Sequence, residues 1–181
     1  MITYVSQNAF WGLLISAAEV YKRECFGLLI GYRDRKGPEE MYIVEHALPY
    51  QSAGRGHKGV VSTPRAHKRI ERFLKGIPHL SVIGDFHSHT MWGYSRAASS
   101  PSETDLEGMK SENVYVILSV NDRLREVPWS YNDNGSLSGT TDEHHFRLTA
   151  YTVTAAGEPR RSRILCPYAF GFGANPLRAA R

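Results

Sequence analysis

Three short apolar runs limit what this chain can fold into: residues 25–32 (CFGLLIGY), 80–87 (LSVIGDFH) and 114–120 (VYVILSV). Each is too short for a core helix, so each reads as a strand, the first of them bounded by glycine-containing ends and buried. Between them the pattern changes to helical spacing. In residues 6–22, Ser6 can cap a helix on which Phe10, Leu13, Leu14, Ala17 and Tyr21 recur along one face. In residues 63–75, Thr63 can cap and Pro64 can take the first helical position, with Arg65, Lys68, Arg69, Arg72 and Lys75 on a basic face. A third helix is expected over 102–111, and further strands over 41–50, 144–154 and 161–168. Residues 51–62, 88–101 and 121–143 lack periodicity and read as loops.

Helices and strands alternate at first, and strands dominate late. The expected fold is α/β, a mixed central sheet sandwiched by helices. A length of 181 residues fits one domain. It is expected to span 1–168, followed by a flexible tail over 169–181. Hydrophobic residues make up 41% and charged residues 22%, which excludes a largely disordered chain. A net charge of +4 is too weak by itself to indicate a nucleic-acid binder, and no RNP, KH or zinc-finger pattern is present. Cys25 and Cys166 form neither a disulfide scaffold nor a CxxC clip, and Cys25 is expected to be buried. The start of the chain lacks the basic segment and cleavage site of an export signal, and its apolar stretch over 9–18 is too short to span a bilayer. The expectation is a cytoplasmic protein with no membrane contact.

Chemistry concentrates in residues 84–109, GDFHSHTMWGYSRAASSPSETDLEGM. His87 and His89 stand two apart at the end of a strand, so both imidazoles face one side. Imidazole is a common zinc ligand. Asp105 follows in the first turn of the expected helix, where a carboxylate can complete a His₂Asp set with one open position. A metal held this way lowers the pKa of a bound water to about 7. Ser102 lies one turn before Asp105, and Glu24, just before the first apolar strand, is the best candidate for a general base.

Together these residues resemble the JAMM/MPN+ (Jab1/MPN domain) zinc metalloproteases. That family's signature of an early Glu, then His-x-His, then Ser-x-x-Asp reads here as Glu24, His87-Ser88-His89 and Ser102-Glu103-Thr104-Asp105. The resemblance covers roughly residues 1–120 and implies a cytidine-deaminase-like sheet sandwiched by helices. It implies one Zn²⁺ per chain on His87, His89 and Asp105, with Glu24 as base and Ser102 stabilising the oxyanion. It further implies cleavage after the C-terminal tail of a ubiquitin or ubiquitin-like protein, the tail lying along a sheet edge as an added strand. Prokaryotic relatives of this compact type occur beside ubiquitin-like conjugation genes and in antiviral-defence operons. Two features depart from the pattern: Thr90 stands where many members have proline, and the spacer 90–101 is long. That spacer is a candidate lid, with Trp92 and Tyr94 as candidate substrate contacts.

Other readings compete with this one. Ser102 and Asp105 also spell a capping box. Glu24 can be a solvated charge beside Lys22 and Arg23. A scaffold of the same fold without catalysis, or a basic nucleic-acid-binding domain, would need no metal. His46, His57, His67, His79, His144 and His145 match no ligand spacing, and His144 and His145, adjacent on a strand, are expected to point to opposite faces. No HExxH, P-C-x-x-C, Walker or GxSxG motif occurs.

Overall fold

The computed structural model describes residues 1–35, 39–51, 54–56, 59–61 and 64–171. Its strands are β1 (Ile2–Val5), β2 (Phe26–Asp34), β3 (Met41–Pro49), β4 (Gly54–Gly56), β5 (Gly59–Val61), β6 (Ser81–Thr90), β7 (Val114–Asp122), β8 (Ser130–Tyr131), β9 (Leu137–Thr141), β10 (His144–Val153) and β11 (Pro159–Leu165). Its helices are α1 (Gln7–Glu19), α2 (Pro64–Leu74) and α3 (Glu103–Gly108), and a 3₁₀ turn covers Pro167–Gly171. The expected cap at Thr63, His57 and the tail beyond Gly171 lie outside the described residues.

The main sheet runs β11-β1-β3-β2-β6-β7-β10-β9-β8, with β10 also paired to β11. It is mixed, as expected: β1 runs parallel to β3 and β11, β6 runs parallel to β7, and the other pairs are antiparallel. The second pairing of β10 corrects the picture of a sheet sandwiched between helical layers. One edge of β10 follows β7 along its length; the other is shared, His144–Leu148 with β9 and Ala150–Val153 with β11. Seven strands, β1-β3-β2-β6-β7-β10-β11, therefore close on themselves as a barrel.

The helices do not form two layers: α1 lies in the main core, and only α2 and the end of α3 reach the opposite face of the sheet. Phe10, Leu13, Leu14 and Ala17 of α1 share one core with Leu29, Phe86, Val116, Leu118, Phe146 and Leu148. Ser6 caps this helix, its Oγ accepting from Ala9 N at 3.1 Å. On the opposite face Leu74, Ala66 and Ile70 of α2 cover Leu28 and Ile30. Farther along that face Met109, just after α3, packs on Tyr115, Ile117 and Tyr151. Cys25 and Cys166 are both buried.

Several elements differ from the sequence expectation. β1 was not anticipated, because four residues carry too little pattern; it is specified by parallel partners on both sides. β8 and β9 fall inside the expected loop 121–143; β9 (LSGTT) is largely buried although mostly small and polar. β6 runs on to Thr90, so both histidines of the pair lie within the strand. α1 ends at Glu19 and α3 at Gly108, both earlier than expected.

Gly84 starts the part of β6 that pairs with β7, opposite Val114. A Cβ there would lie 1.7 Å from the Val114 carbonyl oxygen. Gly84→Ala must therefore pry β6 from β7, at an expected cost of about 1–3 kcal/mol, as for overpacking elsewhere. Thermal unfolding checks this, since each kcal/mol lowers the melting temperature of a domain this size by roughly 2–4 °C.

Candidate metal centre

The site lies on the sheet face away from α1. Side chains alternate along β6, so Phe86 enters the α1 core while His87 and His89 face the other way. Asp105 arrives from α3. His87 Nε2 lies 3.1 Å from His89 Nε2 and 3.4 Å from Asp105 Oδ1, and His89 Nε2 lies 3.5 Å from Asp105 Oδ2. Four ligands about 2.0–2.1 Å from a tetrahedral zinc stand about 3.3–3.4 Å from one another. The two His–Asp distances end on different carboxylate oxygens, yet each is close to the spacing of ligands around zinc, so His87, His89 and Asp105 could hold a metal ion; three protein ligands leave a fourth position for water or substrate.

The surroundings prepare each ligand. His89 Nδ1 lies 2.8 Å from the Ala98 carbonyl oxygen. That carbonyl can only accept, which places a proton on Nδ1 and, in the neutral ring, leaves Nε2 as the nitrogen that can bind a metal. Burial opposes charge on His89, but the Asp105 hydrogen bond, the Ala98 carbonyl and the Asp105 and Glu24 charges outweigh it and raise its pKa. Burial likewise works against charge on Asp105, and the two imidazoles with Ser102 overcome it, holding the carboxyl far below the usual range. The metal-free carboxylate is thus ionised and ready to bind a cation.

The capping and ligand readings of Asp105 coexist. Ser102 Oγ accepts from Asp105 N at 3.2 Å, while Asp105 Oδ2 accepts from Ser102 N and from Ser102 Oγ, both at 2.7 Å. The capping box orients the carboxylate, and its outer oxygen stays turned to His87. Met109 and the Lys110 amide, which donates to Tyr115 Oη, tie the end of α3 to β7.

Glu24 precedes β2 and is half-buried. Ser88, between the two histidines, positions it: Cys25 N donates to Ser88 Oγ at 2.9 Å and Ser88 N to the Cys25 carbonyl at 3.1 Å. With Phe26 opposite His87 in the antiparallel pair, this staple carries the chain back so that Glu24 is felt electrostatically at His89.

The spacer after β6 is anchored at both ends. Met91 Sδ accepts from Asp122 N at 3.2 Å. Trp92 and Ser95 exchange backbone hydrogen bonds of 3.1 and 3.0 Å across a turn in which Gly93 takes φ +57°. Trp92 and Tyr94 project from this tip, 74% and 104% exposed. Ala97 to Ser99 are pinned to the sheet: Ala97 N donates to Asn121 Oδ1 at 2.8 Å, and Ser99 Oγ meets Thr149 Oγ1 at 2.7 Å.

Sequence reading missed Asp85. It lies two residues before His87, on the same face of β6, and burial pushes its pKa up to about 6, with the His87 charge opposing and Asp105 adding to the rise. Period-two alternation was the available signal. His144 and His145 do face opposite ways: the His144 ring packs 4.2 Å from Tyr21, while His145 lies on the face of the metal site. Among the described residues no helix is long and apolar enough to cross a membrane.

Comparison with known proteins agrees with this geometry. The fold is similar to a protein from Desulfitobacterium hafniense, with a TM-score of 0.59 at 18% identity over 92% of each chain. It is also similar to one from Salinibacter ruber, with a TM-score of 0.50 at 20% identity over 93% of this chain and 92% of the other. No curated protein matches the sequence. The family model described as prokaryotic homologs of the JAB domain matches residues 12–131, which hold Glu24, both histidines, Ser102 and Asp105. With two thirds of its length matched and a His–His–Asp cluster at its centre, the chain belongs to the prokaryotic homologs of the JAB domain.

Proposed function

We propose that this chain is a zinc-dependent peptidase or isopeptidase that cleaves after the C-terminal tail of a ubiquitin-like protein, in deconjugation or precursor processing. The observation that carries the reading is the cluster of His87, His89 and Asp105, whose ring nitrogens and carboxylate oxygens lie 3.1–3.5 Å apart, with the Glu24 charge and the Ser102 hydroxyl beside it.

A bound zinc would supply a Lewis acid for the scissile carbonyl and a water that loses its proton near neutral pH. Glu24 is the residue that would accept the water's proton and return it to the leaving amine. Ser102 turns its O–H from Asp105 towards the developing oxyanion. Asp105 accepts the Ser102 hydroxyl on Oδ2 and would hold the metal through the same carboxylate. Trp92 and Tyr94 meet the substrate at the rim. β6 has partners on both edges through His87, so a substrate tail added as a strand pairs beyond that residue. A cytoplasmic location goes with this reading.

The direct test incubates zinc-loaded protein with C-terminal fusions of the ubiquitin-like proteins encoded in the same genome, and reads products by intact mass. One cut after the tail, abolished by chelation, supports the proposal. A chain that holds zinc stoichiometrically and cuts none of them is a scaffold instead.

Ser102 separates catalysis from capping. If it only caps, Ser102→Ala costs about 1 kcal/mol of stability. With an oxyanion role, kcat falls by roughly 10²–10³. Ser102→Asp can cap but cannot donate to an oxyanion, so it is expected to be folded and inactive. Turnover of both variants, measured well below their melting temperatures, decides the matter.

A further inference from the structure

The face that carries the metal ligands continues sideways across the sheet. In register, His89 of β6 lies beside Ser119 of β7, Ser119 beside Arg147 of β10, and Arg147 beside Ser138 of β9. At a strand spacing of 4.7–4.9 Å, Arg147 starts about 10 Å from His89. Beside this row a cavity of about 290 Å³ is lined by Arg96, Arg147, Arg161, His145, Asn134 and Ser119, together with backbone and small side chains of residues 97–100.

The charge of this cavity is one-sided. Three arginines line it and no acidic residue does. The ion pairs made by arginine among the described residues belong to Arg33, Arg35 and Arg163, so none involves these three. His145 adds to the same picture: burial first, then the Arg147 and Arg96 charges, lower its pKa and keep it neutral. Like charges gathered without counter-charge favour an anion, and the guanidinium fork matches the two oxygens of a carboxylate.

The cavity and the metal centre share one wall. The Ala98 carbonyl faces His89 Nδ1. Its neighbours are held to the sheet by the Asn121 amide, which pairs with both the N–H and the carbonyl of Ala97, and by Tyr151 Oη donating to the Ser99 carbonyl at 3.1 Å. Whatever occupies the cavity lies within a few residues of a bond held at the metal.

Resting on the peptidase reading, we propose that this cavity is a carboxylate-binding subsite of the metal centre, which selects peptides carrying an acidic group close to the scissile bond. The carboxylate belongs either to an Asp or Glu side chain or to a chain terminus; the chemistry at the arginines is the same. A neutral peptide gains nothing there.

The test needs neither metal nor hydrolysis. Full-length protein, stripped of metal and dialysed free of chelator, is titrated with N-acetylglutamate α-amide, N-acetylglycine and the neutral N-acetylglutamine α-amide. Amide resonances of Ser119, His145 and Arg147 are followed by NMR. Saturable shifts with one or both carboxylates and none with the neutral amide are expected, and the carboxylate that binds identifies the source. The Arg147→Gln, Arg161→Gln double variant, altered only at exposed positions, is expected to bind at least 10-fold more weakly, since hydrogen bonds to charged groups are each worth about 10–100-fold. Saturation by neither carboxylate, a loss smaller than 10-fold, or saturation by a short oligonucleotide alone overturns the proposal. Carboxylate binding by a chain that cleaves nothing would instead refute the peptidase reading and leave the subsite standing.

Discussion

Alanine at both His87 and His89 is expected to take bound zinc from about one ion per chain to none, and to reduce turnover to background. His87, His89 and Asp105 form one ligand cluster, and losing two of its members leaves only the Asp105 carboxylate, which cannot hold a borderline-soft metal alone. The fold should survive. Both side chains lie on the face away from the α1 core, and neither belongs to a hydrophobic cluster. In the wild type the imidazole charges help to hold Asp105 ionised; in the variant that support is gone and its pKa rises. Elemental analysis beside circular dichroism checks both halves of the expectation. Zinc retained at full stoichiometry in a folded variant would place the metal elsewhere.

Glu24→Gln is expected to keep metal and stability while lowering kcat by roughly 10²–10⁴, the usual size of a general acid–base contribution. The Glu24 charge raises the His89 pKa, so it favours the protonated imidazole. Removing that charge favours neutral His89, which is the form that binds metal. The same substitution also removes a negative charge that attracts a dication, so the zinc content of the variant is measured beside its turnover. Measured zinc content equal to wild type with turnover reduced assigns the proton transfer to Glu24. Unchanged turnover would return Glu24 to the role of a solvated charge beside Lys22 and Arg23.

The chemistry was more legible than the architecture. Glu24, His87, His89, Ser102 and Asp105 could be picked out because each element offers its ligands by local rules: alternation along a strand, and the first turn of a capped helix. The capping box itself was readable, but not that Asp105 would cap with one oxygen and keep the other turned to His87. The apolar strands β2, β6 and β7 announced themselves by composition. β9 did not, because Ser138, Gly139 and Thr140 are buried through pairing with β10 rather than through their own hydrophobicity. The arginine cavity was equally silent. Arg96, Arg147 and Arg161 are far apart in sequence and share no spacing, and only the β7–β10–β11 pairing gathers them.

By itself the sequence determined that two imidazoles face one side of an apolar strand, that a capped carboxylate follows on a short helix, and that residues 6–22 form a helix with one apolar face. Those properties depend on neighbours within a few residues, where side-chain direction follows from backbone period. The closure of the sheet through the divided edge of β10, the Ser88 staple that brings Glu24 to His89, and the 3.1–3.5 Å spacings within the His–His–Asp cluster were decided by tertiary structure. Each joins residues separated by many others, and such pairings are selected by the packing of the whole core, which no local pattern records.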